Sequence, residues 1–524
     1  MNETKRKAID ALPPLRRRQV LSGLAGLATV ASIGGLPAMA QANGENILRV
    51  RANANPSSLD PATGGSGSDH TFLYNHYDTL IDWEPDTLAP KPGLAAEWSF
   101  PEPKTLVLKL RDGVTFHDGS ACDAEAVKFN LDRNRTAQIS NIKQDLASVE
   151  TVEVTDPLTV TLRLSAPDTA LPLILSDRAG MMVSPTALGN DPETNVDREP
   201  VGTGPWSFVS WTDGEKVVGT KFDAHWRDGV PGTDGIEMFV MPEESTGLRA
   251  VQSGQVHIAY QLSERQKILV EKIPNLGIVS GPTLYIHQLY VNAARGALQD
   301  VRVRRALSLS VDRNAFVAAT QANVGEAAYM NLPKAHWAYS EAAAELTTYD
   351  VDEAKRLMEE AGYGDGLELD LRGYPDQGSV QRQEVLLAQW SKIGVRGRFQ
   401  NAPVAENSGR FFGEEKQGDL LMSAWTGRPD PSLTYALLYS ENSFYNPGRV
   451  APPEGFADAI QRSRETADQD ARKVALGEVQ QMVMQAQLTI PLAVRYEVDA
   501  VTSEVQDFNA NLLGKPKFND VKLG

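Results

Sequence analysis

The sequence predicts an α/β fold with an antiparallel insertion in its first half, and three patterns predict it. Two alternating apolar stretches lie between residues 100 and 165. From about residue 236 the pattern becomes strand–helix–strand. Later segments carry apolar stripes at helical spacing, opened by aspartates and closed by glycines.

Each element has its own signal. Leu106, Leu108 and Leu110 alternate with polar residues, and Asp112-Gly113 then reads as a tight turn into Val114 and Phe116, a hairpin signal. A second hairpin is expected from VETVEV, Asp156-Pro157 and the alternating Leu158, Val160, Leu162 and Leu164. Between them Asp123 can cap a helix with Ala126, Val127, Asn130 and Leu131 on its inner face. IEMFVM reads as a continuous apolar strand, Pro242-Glu243 opens a helix carrying Leu248 and Val251, Gly254 ends it, and VHIAY is the next strand. After Asp300, Val303, Ala306, Leu307, Ser310 and Val311 share a helix face. Asp350 and Glu353 begin a helix that buries Ala354, Leu357, Met358 and Ala361 and stops at Gly362. Leu386, Trp390 and Ile393 line another, closed by Gly394 before the strand VRGRF. LLMSAW is an apolar strand; Pro429, Asp430 and Pro431 are then expected to stop regular structure.

Composition narrows the function. With 524 residues, 41% hydrophobic and 23% charged, the chain has the make-up of a globular protein of two or three domains. A net charge of −17 argues against nucleic acid, whose phosphates need a basic face. The single cysteine, Cys122, excludes an intrachain disulfide and any CxxC site.

The first forty residues read as an export signal. A basic stretch precedes the weakly apolar SGLAGLATVASIGG, and Ala38-Met39-Ala40 is an A-x-A cleavage site that would leave Gln41 at the new N-terminus. Arg16-Arg17-Arg18 followed by Gln19, Val20 and Leu21 resembles the twin-arginine signal, with Arg17 and Arg18 as its pair. The segment holds six basic and two acidic residues, so its removal takes the net charge from −17 to −21. No cysteine stands near the cleavage site for lipidation, and no later stretch reaches the ~18 apolar residues of a spanning helix. The expectation is a soluble periplasmic protein that is not lipid-anchored.

Catalytic motifs fail one by one. His117-Asp118 beside a Gly turn is expected to cap backbone. Gly202-Thr203-Gly204-Pro205 is a turn rather than a dinucleotide loop, and Ser140-Asn141-Ile142-Lys143 has no KTG or SDN partner. HExxH, GxSxG and a Walker loop are missing, and the seven histidines include no pair four residues apart. The sequence suggests no enzyme, metal or cofactor.

Six separated blocks carry a family resemblance: LRDGVTFHDGSACDAEAVKFNLDR, VGTGPWSFVSW, HWRDGVPGTDGIEMFVMPEESTGLRAVQSGQVHIA, LYVNAARGALQDVRVRRALSLSVDRNAF, DVDEAKRLMEEAGYG and LLMSAWTGRPDP. In this order they resemble the extracellular solute-binding proteins, family 5, the peptide- and nickel-binding receptors of ABC importers. The resemblance implies a bilobal periplasmic-binding-protein type II fold with an extra subdomain in lobe I. It implies a lobe I core of residues 41–75, 200–284 and 493–524, a subdomain of 76–199, and lobe II of 285–492. The chain would cross between lobes near 284 and 492. The partners implied are a small peptide or peptide-like ligand and an inner-membrane ABC permease, with the receptor a monomer. A periplasmic peptide-binding chaperone or sensor on the same fold is the alternative; a secreted hydrolase would need a nucleophile or metal set that is missing.

In peptide receptors of this family, an aspartate three residues after the loop tryptophan holds the ligand's α-ammonium. Here Trp425, Thr426 and Gly427 are followed by Arg428. A fixed guanidinium repels an ammonium and grips a carboxylate bidentately, so the resemblance with this departure points to an anionic group on the ligand. Pairing of Arg428 with an internal acid is the competing structural role. Further cleft candidates are Ser66 in the loop Gly64–Ser68, and Tyr74, Tyr290, Asn292 and Tyr374 at the ends of apolar segments.

Overall fold

The computed structural model describes residues 46–524; the export motif Arg17-Arg18 and the cleavage site Ala40-Gln41 lie outside the described residues. The fold is bilobal and α/β. Its spine is a sheet of eleven strands in which two long strands, Leu276–Val291 and Thr489–Thr502, pair antiparallel at the centre. Leu276–Pro282 lies opposite Tyr496–Thr502, and this half continues through Ile258–Ala259, Ile47–Ala52 and Gly235–Val240. Ile286–Tyr290 lies opposite Thr489–Val494, and this half continues through Leu420–Trp425, Leu367–Gly373 and Val395–Asn401.

The register slips between Pro282 and Ile286. Proline has no N–H to give the ladder. The backbone groups find other partners there: the Thr283 hydroxyl donates to the Arg495 carbonyl at 2.8 Å, and the Leu284 N–H donates to Leu512 at 2.7 Å. We propose residues 282–286 and 494–496 as the two crossings between the lobes.

An antiparallel sheet of four strands, in the order Ala95–Glu102, Thr105–Leu110, Thr159–Leu164, Val149–Asp156, forms the insertion. The helix Ala124–Thr136 packs on it, capped by the Asp123 carboxylate on the Ala126 N–H, with Ala126, Val127, Asn130 and Leu131 buried. The hairpin at Asp156-Pro157 forms. The hairpin expected at Asp112-Gly113 does not: Thr105–Leu110 pairs with Ala95–Glu102 before it and with Thr159–Leu164. Gly113, at φ 75°, turns the chain out of the sheet.

In the second half, helices Val301–Leu309, Val351–Glu360 and Gln377–Trp390 form near where the periodicity placed them. The first ends at Leu309, so Ser310 is its C-cap and Val311 lies beyond it, and Ala361 after the second is only half-buried. Asp350 caps the second through the Glu353 N–H, and the Trp390 indole donates to the Leu307 carbonyl at 3.0 Å within a continuous apolar core. One expectation reverses. Pro431 begins the helix Pro431–Tyr439 with Asp430 as its cap, because a first-turn proline lacks only an N–H that would have no helical partner.

Candidate functional site

Between the two halves of the long sheet lies a cavity of about 630 Å³, large enough for a small solute. Its wall draws on the Gly64–Ser68 loop, Asp145 of the insertion, Asp177 and Arg178 after it, Tyr285, Arg495 and Glu497 of the two long strands, Thr426 and Arg428 after the strand Leu420–Trp425, Tyr445, and Lys515 near the C-terminus.

Arg428 reaches this wall through a constrained turn. Leu420–Trp425 is held in register against Leu276–Val291, with Trp425 opposite Ile286. The chain then bends at Gly427, φ 74°, where a Cβ would stand 2.2 Å from the Leu284 Cβ, so only glycine fits. The half-buried Arg428 guanidinium lies 4.8 Å from the centre of the Trp425 ring, and Nη1 donates to the Gly427 carbonyl at 2.7 Å. Trp425 is buried, with its indole N–H on Thr434 Oγ1 at 3.3 Å. Arg428 makes no ion pair with any described residue. Asp430 turns inward: Oδ1 accepts from the Ser432 N–H at 2.9 Å, and Oδ2 meets Arg472 Nη2 at 2.6 Å.

Some of the remaining charges are committed to one another, whereas Arg495 lies 5.2 Å from the centre of the Tyr285 ring without an ion pair to a described residue. Asp177 holds His70 and Lys515; burial opposes its ionisation, but Lys515 and His70 overcome this and keep its carboxyl well below the usual range. Burial, with Lys515 adding to it, pushes His70 down to about 4, so its ring is neutral at pH 7. Arg178 pairs with Asp69 at 3.0 Å. Glu497 and Asp499 sit two apart on one strand, and burial raises both, the Glu497 charge adding to the effect on Asp499. Burial also raises Asp145, and the Arg428 charge is the strongest influence against it.

The structure brings together only part of the sequence-derived set. Ser66, Thr426 and Arg428 line the cavity, while Trp425 and Gly427 stand behind Arg428 as ring and turn. The loop's backbone is less available than expected, because the N–H groups of Gly64, Gly65, Ser66 and Ser68 bond to Asp60, Ser57, Asp69 and Ser66. Tyr74 borders a separate cavity of about 340 Å³, where Lys517 lies over its ring and pairs with Asp82. Tyr290, Asn292 and Tyr374 are off the cavity wall. Tyr290 is buried against Phe412 and donates to the Ala424 carbonyl; Asn292 donates to the Lys416 and Gly418 carbonyls; Tyr374 bonds Ser408 and Ser423. The sequence reading missed Asp145, Asp177, Arg178, Tyr285, Arg495, Glu497 and Lys515, which carry no local motif.

His117 and Asp118 act as caps: His117 bonds the Gly204 carbonyl through Nε2, and Asp118 accepts from Ser120 and Ser184. Among the described residues no three His, Cys, Asp or Glu side chains are grouped to hold a metal, and no helix is long and apolar enough to cross a membrane.

Comparison with known proteins agrees with this architecture. The chain is 27% identical over 507 residues to the glutathione-binding protein GsiB of Salmonella paratyphi A, covering 93% of this chain and 95% of the relative. It is 27% identical over 514 residues to the dipeptide-binding protein of Escherichia coli K12, covering 90% and 94%. The fold superposes with a TM-score of 0.80 on AgaA of A. tumefaciens R10 in complex with agropinic acid, at 22% identity, covering 91% of this chain and 99% of that one. It superposes equally, TM-score 0.80 at 21% identity, on DppA of Helicobacter pylori in complex with the peptide STSA, covering 91% and 98%. The model of the bacterial extracellular solute-binding proteins, family 5, matches residues 89–446, and the chain belongs to that family.

Proposed function

We propose that the protein is the periplasmic substrate-binding component of an ABC importer. It captures a peptide or peptide-like solute bearing an anionic group and delivers it to an inner-membrane permease, working as an exported monomer without a lipid anchor. The observation that carries the ligand reading is Arg428: a guanidinium on the cavity wall with one hydrogen bond, to its own neighbour's carbonyl, and no acid paired with it. Such a group is left with donors for a carboxylate, and Trp425 beneath it fixes their direction. The relatives fit this class, since their names specify glutathione and dipeptides and the structural neighbours hold agropinic acid and a peptide.

Ligand contacts from both lobes would offset the cost of ordering the closed state. Thermal-shift screening of the purified protein against peptides, opines, glutathione and sugars tests the reading. A peptide or peptide-like acid should raise the melting temperature with concentration and compact the protein in solution scattering, with no turnover. Stabilisation by neutral sugars alone would overturn it.

A further inference from the structure

Two cavity side chains of opposite charge face the same space without joining. Asp145 sits in the short helical turn Lys143–Leu146 of the insertion, and Arg428 comes from the other lobe. Asp145 is half-buried, and its carboxylate accepts no hydrogen bond and makes no ion pair with a described residue. The two are nonetheless within electrostatic reach, since Arg428 is the strongest charge acting on Asp145. Of the other acids of the cavity, Asp177 is held by His70 and Lys515, while Glu497 lies beside Asp499 on the strand Thr489–Thr502 with Oε1 unpartnered, its ionisation opposed by burial and favoured by Arg495. A directly bonded Asp–Arg pair would satisfy itself; a separated one leaves both groups able to take a ligand.

We infer that Asp145 and Arg428 form the two ends of a clamp for a zwitterionic ligand, with Asp145 taking its ammonium and Arg428 its carboxylate. The inference rests on the reading of Arg428 as an anion anchor and adds the opposite pole. The ammonium site then lies in the insertion, across the cavity from the segment Trp425–Arg428. One extended ligand touches both lobes, and its two charges replace the solvent that otherwise screens the two side chains.

The test is calorimetry on the mature chain with Ala-Ala, Ala-Glu, Ala-Phe and glutathione, each as the free compound, the N-acetyl derivative and the C-terminal amide. In the wild type, N-acetylation and amidation should each weaken the best free compound by at least about tenfold, as expected for loss of one charge-assisted contact. Asp145→Asn should erase the N-acetyl penalty and keep the amide penalty; Arg428→Ala should do the reverse. Equal wild-type binding of free and N-acetyl forms, an Asp145→Asn protein that keeps the N-acetyl penalty, or no binding of any free compound would each overturn the clamp. If N-acetyl forms bind the wild type as well as free ones but are lost in Arg428→Ala, the anion anchor stands and the clamp alone fails. If Arg428→Ala changes neither penalty, both fail.

Discussion

The Asp430 carboxylate and the Arg472 guanidinium form a buried ion pair, Oδ2 to Nη2 at 2.6 Å, with side-chain exposures of 0% and 9%. The pair fixes the segment that follows Arg428 to the helix Gln469–Ala486 and keeps the nearest acid in sequence turned away from the cavity. Arg428 therefore has no built-in neutralising partner two residues on.

This pair predicts an asymmetry in stability. Arg472→Leu leaves a fully buried carboxylate without its cation and should cost about 3–5 kcal/mol. The double variant Asp430→Leu/Arg472→Leu removes both charges and should cost less than the single change. Urea denaturation followed by circular dichroism measures both. A single variant as stable as wild type would show that the pair does not hold this segment.

A second prediction concerns pH. Burial holds His70, His76 and His336 down to about 4, against an ordinary 6.5. A folded value below the unfolded one means the fold favours the neutral ring. The stability from these histidines is therefore complete above pH 6.5 and declines as pH falls from 6.5 towards 4. Each contributes a slope of up to about 1.4 kcal/mol per pH unit in that window. His76→Asn retains a donor for the Trp206 carbonyl, which His76 Nδ1 reaches at 2.9 Å, without the titration. Its stability should fall less steeply across that window; an unchanged pH profile would contradict the assignment.

The third prediction concerns export. Arg17→Lys with Arg18→Lys should leave the precursor in the cytoplasm, and the exported wild type should begin at Gln41. Fractionation and N-terminal sequencing read both. Normal periplasmic delivery of the double-lysine variant would assign the signal to the general secretory route instead.

How far the sequence was readable depended on the range of the interaction. Asp123 and Asp350 cap helices through N–H groups three residues on, and Gly362 and Gly394 end helical segments at positive φ, so each signal is local. Pro429-Asp430-Pro431 misled because proline is equally at home in a loop and in a first helical turn; the inward pull of Arg472 decides. Asp112-Gly113 misled because a turn does not state which strands pair across it. The cavity was the least legible part. Asp177 meets Lys515 across 338 residues of chain, and no short window contains both. Arg428 was accessible to sequence because it departs from a family pattern, whereas Tyr290 and Asn292 resembled binding residues but satisfy their polar groups on nearby carbonyls.

Arg428 is proposed to hold an anionic group of the ligand, and calorimetry on folded Arg428→Ala with the best ligand from the thermal-shift screen measures that role. A charge-assisted hydrogen bond contributes ~1.5–3 kcal/mol, so the variant should bind roughly 10- to 150-fold more weakly than wild type. Arg428→Lys should recover only part of that, since an ammonium cannot reproduce the bidentate fork, and Arg428→Asp should bind more weakly than the alanine variant. Affinity of Arg428→Ala equal to that of the wild type would contradict this role and leave Arg428 as a brace of the turn after Trp425.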